Sequence, residues 1–208
     1  PYSTTMTKAV APVTEKFKVP MVEAEGASRS LFTQGYKYMF AVLSTSEYYL
    51  APVLDIMADK AKAMGKNPSD LRISMAFEND GFSLDVRAGV VDKAKEHGMK
   101  IVIDDKLPAD LSDMSATLTK TKALKPDILL VSGHSKGAAT AARQIEEMKI
   151  DVPLIAYTHC EAAKVQEKFP KSANGVMCPT QWLSNLPKRD DYFGDAAKWN
   201  SDFKKAYP

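Results

Sequence analysis

Residues 133 to 137 read Gly-His-Ser-Lys-Gly, after the apolar run "DILLVS" and before the Ala-rich "AATAARQIEEMK". A strand, a G-x-S-x-G turn and a helix form the setting in which α/β-hydrolases expose a nucleophilic serine. That chemistry also needs an acid and then a histidine at the same sheet edge, in the order Ser, acid, His. The acids between Ser135 and His159 are Glu146, Glu147 and Asp151. The first two fall late in the helix and the third enters the next strand, which puts all three at the opposite edge. The upstream oxyanion-hole sequence of esterases is missing as well. An esterase using Ser135 and His159 is therefore the alternative, and the same turn is better read as the lining of a binding cleft.

Metal chemistry is equally weakly signalled. His134, His159 and Cys160 come from neighbouring strand ends, but no carboxylate completes a ligand spacing, so no metal is assigned. His97, just ahead of Gly98, is a helix-terminal histidine favoured by the helix dipole. Cys160 and Cys178 are the only cysteines, too few for a disulfide scaffold; a bridge between them suits an oxidising compartment, but nothing in the sequence requires it. With 28 basic and 26 acidic residues the charge is too balanced for a nucleic-acid surface. No apolar run reaches spanning length, so no part is expected to be membrane-embedded. Pro1 heads the chain with neither a methionine nor a signal peptide before it, which fits a processed chain or one that lost its beginning.

The elements that must position these residues alternate regularly. A helix from about Glu47 to Met64 puts Leu50, Val53, Leu54, Met57 and Ala61 on one face. "LRISMAFE", "KIVIDDKL", "DILLVSG", "VPLIAYT" and "GVMCPTQW" follow as strands, with helices at "SLDVRAGVVDKAKEHG", "MSATLTKTKALKP", the stretch after Ser135 and "EAAKVQEKF". Near-continuous apolar strands indicate a parallel sheet covered on both faces, a doubly wound α/β lobe of five strands over about residues 43 to 178. The ends are different. Residues 1 to 40 give a helix, "MTKAVAPVTEKFK", and one strand, "VPMVEAEG"; after Trp182 come a polar loop and the helix "AAKWNSDFKKAYP". These pieces cannot bury a core by themselves and are expected to be parts of a second lobe.

In open α/β sheets ligands bind beyond the carboxyl ends of the strands. The residues delivered there include Phe82, His134, Tyr157, Thr158, His159 and Trp182. Aromatic faces with neutral hydrogen-bonding groups suit a small organic ligand better than a phosphate or a metal.

Over essentially all of its length the chain resembles the type I periplasmic solute-binding proteins of ABC importers, in the leucine/isoleucine/valine-binding branch. The resemblance rests on the order and spacing of "PYSTTMTKAVAPVTEKFKVPMVEAEGAS", "GYKYMFAVLSTSEYYLAPVLDIM", "AFENDGFSLDVRAGV", "KPDILLVSGHSKGAATAARQIEEMKIDVPLIA" and "NGVMCPTQW". It implies two doubly wound parallel-sheet lobes joined by a hinge, with residues 43–178 as the carboxyl-side lobe. Residues 1–42 and 179–208 become parts of an amino-side lobe that is incomplete, the chain being a fragment of a longer mature protein. Crossing segments fall near Ala41 to Ser44 and Cys178 to Gln181.

The resemblance also implies roles. Ser3 and Thr4 hold a ligand carboxylate, and Gly26, Ala27 and Ser28 supply backbone and hydroxyl contacts. Helix or turn capping is the plainer reading of Ser3, Thr4 and Ser28. Phe82 covers the ligand, against a plainer reading as a core residue, and His134 takes a position that is often aromatic. Where amino-acid binders place an acid for the ammonium, this chain has Thr158 and His159, with Glu161 expected inside the following helix. A carboxylate without an amine, such as an aromatic or hydrophobic acid against Phe82, Tyr157 and Trp182, is therefore preferred; the amino-acid reading returns if Glu161 reaches the cleft. The implied partners are that small-molecule carboxylate and the permease subunits, the location is periplasmic, and no cofactor or catalysis is involved. A ligand-sensing domain of a regulator shares the fold and is the third option.

Overall fold

The computed structural model describes residues 1–61, 63 and 65–207. Ser3 opens the first helix: its side-chain oxygen accepts the Met6 N–H at 3.5 Å, and α1 (Thr4–Phe17) runs until Lys18 turns left-handed at φ 54°. β1 (Met21–Glu23) is not the lone strand expected. It pairs in parallel with β2 (Met39–Ala41), a Met-Phe-Ala segment preceded by Tyr38. A 3₁₀ turn at Ser46–Tyr48 then leads into α2 (Ala51–Ala61). The helix starts later than residue 47 because Pro52 belongs in a first turn, where its missing N–H costs nothing. Leu50, Val53, Leu54, Met57 and Ala61 are all buried, as their spacing requires; the expected end at Met64 lies outside the described residues.

The centre is a four-stranded parallel sheet in the order β4-β3-β5-β6, built from β3 (Arg72–Glu78), β4 (Lys100–Leu107), β5 (Ile128–Ser132) and β6 (Leu154–Tyr157). β3 and β5 are central, and β5 is buried along its full length, which matches its unbroken apolar run. Alternation divides the core in two. Ile73, Met75, Phe77, Ile128 and Leu130 pack with α2 and α3 (Gly81–Glu96) on one face. Ala76, Leu129 and Val131 pack with α4 (Ser115–Leu124) and α5 (Ser135–Glu147) on the other.

The fifth strand contracts to one parallel bridge, Ala156 to Met177. The helix expected over residues 161–169 begins later, as α6 (Ala163–Lys168), and Pro170 starts a separate short helix, α7 (Pro170–Ala173). A disulfide joins Cys160 to Cys178 across this region. The polar loop beyond Trp182 holds a two-residue hairpin, β7 (Arg189–Asp190) with β8 (Gly194–Asp195). Asp195 caps α8 (Ala196–Ala206) by accepting the Lys198 N–H at 2.7 Å; Pro208 lies outside the described residues. The two segments expected to cross between lobes lie side by side, with the Ser44 N–H donating to Gln181 Oε1 at 3.0 Å.

Candidate functional site

The carboxyl ends of β3, β5 and β6 face the start of α1 across a cleft of ≈ 370 Å³. Six residues expected from sequence line it: Ser3, Thr4, Phe82, His134, His159 and Trp182. Phe82, in the first turn of α3, is the hub of an aromatic group; its ring centroid lies 5.3 Å from Tyr49, 5.5 Å from His134 and 5.8 Å from His159. Only 5% of Phe82 is exposed, so it also belongs to the core beneath.

The glycines around Ser135 are explained by a carboxylate rather than by a nucleophile. Glu78, at the end of β3, is 1% exposed and sits under the start of α5, where its Oε1 lies 3.4 Å from the His134 N–H. A Cβ at Gly133 would fall 2.5 Å from that oxygen and one at Gly137 2.7 Å from it. The G-x-S-x-G pattern keeps space for a buried acid. Burial pushes the Glu78 carboxyl up to about 7, with Asp80 adding to the rise and the His134 charge and N–H opposing it.

His134 holds the position just before α5 without a side-chain capping bond; its Nε2 bonds to Asp80 Oδ2 at 2.8 Å, while its Nδ1 lies 3.4 Å from the Tyr2 hydroxyl. The Asp80 contact raises the His134 pKa against the cost of burial. For Asp80 itself burial works upward, but the His134 bond and the Ser83 N–H outweigh it and leave the carboxyl below its ordinary value. His159 behaves in the opposite way. Burial lowers its pKa, and its Nδ1–H donates to the Gly133 carbonyl at 2.8 Å, so the neutral ring keeps Nε2 as an acceptor. Ser3 and His159 also hold positive φ, 73° and 61°, a conformation that costs non-glycine residues about 1–3 kcal/mol and concentrates at ligand clamps.

Two acids line the cleft: Glu161, expected inside a helix with the cleft as the alternative, and Glu25, which the sequence did not single out. Glu161 lies in the turn before α6 rather than inside it and lines the cleft, as does Glu25 just after β1. Left-handed His159 and the bridged Cys160 extend this turn. Glu25, two residues past the end of β1, is a strand-tip residue of the same kind as those after β3, β5 and β6. Tyr2, Tyr49 and Gln181 line the cleft as well.

The remaining expected residues are brought near the cleft but not into its lining. Tyr157, the last residue of β6, is 1% exposed, its side chain packed in the core between the sheet and α5 rather than in the cleft. Thr158 is buried because its hydroxyl donates to the Gly133 carbonyl at 2.7 Å and accepts the Gly133 N–H at 3.0 Å. Gly26 donates its N–H to buried Glu23 at 2.7 Å, and Ala27 is in the core. The Ser28 hydroxyl donates to Asp85 Oδ2 on α3 at 2.6 Å, and the same oxygen accepts the Arg29 N–H at 2.7 Å. These five shape the wall rather than present groups from it.

Among the described residues, three groups of metal-capable side chains have donor atoms within 4.8 Å of one another. In Cys160, Glu161 and Cys178 the thiols form the disulfide. In Asp55, Glu96 and His97 the imidazole is bonded to Asp55. In Glu78, Asp80 and His134 the imidazole is bonded to Asp80. The esterase alternative finds no support: the His159 ring is oriented by a backbone carbonyl, and among the described residues no bond joins it to Ser135.

A doubly wound sheet with a polar and aromatic cleft at its strand tips defines a small-molecule-binding α/β protein. A family model described as periplasmic binding protein matches residues 1–208, and the chain belongs to that family. Among curated relatives, a Leu/Ile/Val-binding protein homolog 8 of Brucella abortus is 22% identical over 147 residues, 70% of this chain and 36% of the relative. The leucine binding protein LivK of Thermotoga maritima superposes with a TM-score of 0.78 at 20% identity, covering 100% of this chain and 56% of that one. A solute-binding protein of R. palustris in complex with 4-hydroxybenzoate gives 0.73 at 17% identity, covering 100% of this chain and 54% of its own. The chain thus spans about a third of the curated relative and about half of these structures.

Proposed function

We propose that this chain is the ligand-binding part of an extracytoplasmic solute-binding protein that hands a small carboxylate, unaltered, to the permease of an ABC importer. The observation that carries the reading is the cleft itself. It brings hydroxyls at the start of α1, Ser3 and Thr4, into one lining with the aromatic rings of Phe82 and Trp182. Hydroxyls and helix-terminal N–H groups offset the desolvation of a carboxylate without adding a fixed charge. In this reading residues 1–42 and 179–208 form the amino-side lobe and residues 43–178 the other. The Ser44–Gln181 bond ties the crossing segments, and the Cys160–Cys178 bridge suits an oxidising compartment such as the periplasm.

Glu161 and Glu25 in the lining favour a ligand that carries an ammonium, hence a hydrophobic or aromatic amino acid, over the amine-free acid preferred from sequence. A buried ammonium needs such a partner. The second reading, an aromatic acid, is favoured by the rings of Tyr2, Tyr49, Phe82 and Trp182, and by the 4-hydroxybenzoate of the R. palustris relative. Thermal-shift assays with leucine, phenylalanine, benzoate and 4-hydroxybenzoate decide between them, because a ligand that binds only the folded state raises Tm. Stabilisation by amino acids, weakened in Glu161→Gln, is expected. Stabilisation by benzoates alone selects the second reading, and no shift with any small carboxylate rejects both.

A further inference from the structure

Buried Glu78 takes no part in the proposed contacts, yet it lies one residue behind the cleft wall. Its Oε1 is 3.4 Å from the backbone nitrogen of His134, and His134 and Ser135 both line the cleft. Its Oε2 is buried with no hydrogen-bond partner among the described residues. The two glycines that flank Ser135 put no side chain between this carboxyl and the start of α5. An ionised carboxylate in such a position is strongly disfavoured unless it is compensated, and protonation removes the charge in place.

We propose that Glu78 is a proton-binding site coupled to the cleft, so that a solute carboxylate is captured together with a proton and is held less tightly as pH rises. The inference rests on the solute-binding reading above. The start of α5 offers its N–H groups and positive dipole end to one nearby negative charge, and two carboxylates compete for it. A protonated Glu78 leaves that field to the ligand; an ionised one repels it.

The surrounding charges agree with this assignment. From the β3–α3 turn comes Asp80, whose charge raises Glu78; from α5 comes His134, whose charge lowers it; from the loop after β4 comes Asp110, which raises it. Asp110 is partly neutralised by Lys136 of α5 at 3.5 Å. The Tyr2 hydroxyl, at the start of the chain, feels Glu78 in turn. With the carboxyl titrating at about 7, the protonated form predominates below that pH and the ionised form above it. Affinity for an anionic group is therefore highest on the acid side and falls through neutrality.

Two measurements on the full chain test this. Carbon-13 titration of glutamate carboxyls reads the proton site without any ligand: one resonance, absent in Glu78→Gln, is expected to titrate near neutrality. Calorimetry with leucine and with benzoate, each in two buffers of different ionisation enthalpy from pH 5.5 to 8.5, reads the coupling. The parent is expected to take up protons on binding near pH 7 and to lose about five-fold or more in affinity over the alkaline half of the range. Glu78→Gln, a neutral isostere of the protonated acid, is expected to bind as the parent does at low pH and to lose the Glu78 share of proton uptake. His134 titrates nearby, so the difference between the two proteins is the diagnostic quantity. Ordinary acidic titration of Glu78, or the same uptake in both proteins, overturns the proposal. Absence of binding by both probes in both proteins at every pH rejects the solute-binding reading instead, and the carbon titration still judges the proton site.

Discussion

Gly137→Ala puts the account of the G-x-S-x-G turn to a quantitative test. An added Cβ would lie 2.7 Å from Glu78 Oε1 and 2.8 Å from Leu111 Cδ2. Neither neighbour can easily move away. Glu78 and Leu111 are 1% and 0% exposed, Gly133 crowds the same carboxylate, and Leu111 is itself held at φ 35°. In an unhindered helix the substitution would gain about 0.5–1 kcal/mol. Overpacking a tight core costs about 1–3 kcal/mol, so the net is a loss of about 1–2 kcal/mol, or about 3–6 °C in Tm for a chain of this size. Urea denaturation followed by circular dichroism measures it. A double-mutant cycle with Glu78→Ala assigns the clash: part of the cost, about 1 kcal/mol, is expected to disappear when the carboxylate is removed. A neutral or stabilising Gly137→Ala, or an equal cost in both backgrounds, refutes the reasoning and returns these glycines to some other purpose.

Three further outcomes follow from the same geometry. Asp85→Ala strips the acceptor shared by the Ser28 hydroxyl and the Arg29 N–H, and is expected to lose about 1–2 kcal/mol in stability and to weaken ligand binding without touching the ligand; parent-like Tm and affinity would contradict this. Reduction of the Cys160–Cys178 bridge, which spans a sequence separation of 18, is expected to cost about 3 kcal/mol and to lower Tm by about 6–10 °C in a scan with reductant; an unchanged Tm counts against it. Asp80 raises the His134 pKa above its ordinary 6.5, so this pair's stabilisation is complete below about that pH and is lost as pH rises through the folded value. His134→Gln should remove that slope from a Tm-against-pH series, and a parent-like slope would sink the assignment.

Much of the central sheet was legible because it is written in apolar runs: β5 is buried throughout, β3 from Ile73 onward, and both read as covered strands. Where short polar segments decide, sequence said less. β2 is too brief for periodicity to register, the strand expected at "GVMCPTQW" contracts to one bridge at Met177, Pro52 moved the start of α2 by a few residues, and Pro170 opened a further short helix. At the site, naming strand ends found His134 and His159 but could not resolve which neighbour turns inward. Tyr157 is in the core and Thr158 under Gly133, while Glu161, placed on a helix by its surroundings, lines the cleft. The role of Gly133 and Gly137 was not readable at all, since Glu78 lies more than fifty residues away in sequence and meets them only through the pairing of β3 with β5.

The central claim is that this cleft holds a small carboxylate reversibly and breaks no bond in it. Isothermal titration with leucine or phenylalanine, followed by recovery and mass analysis of the ligand, tests it most directly. The account predicts saturable binding of one equivalent, loss of affinity in Phe82→Ala, and recovery of the ligand unchanged. Failure of every small carboxylate to saturate the protein, or recovery of a cleaved product, would contradict it.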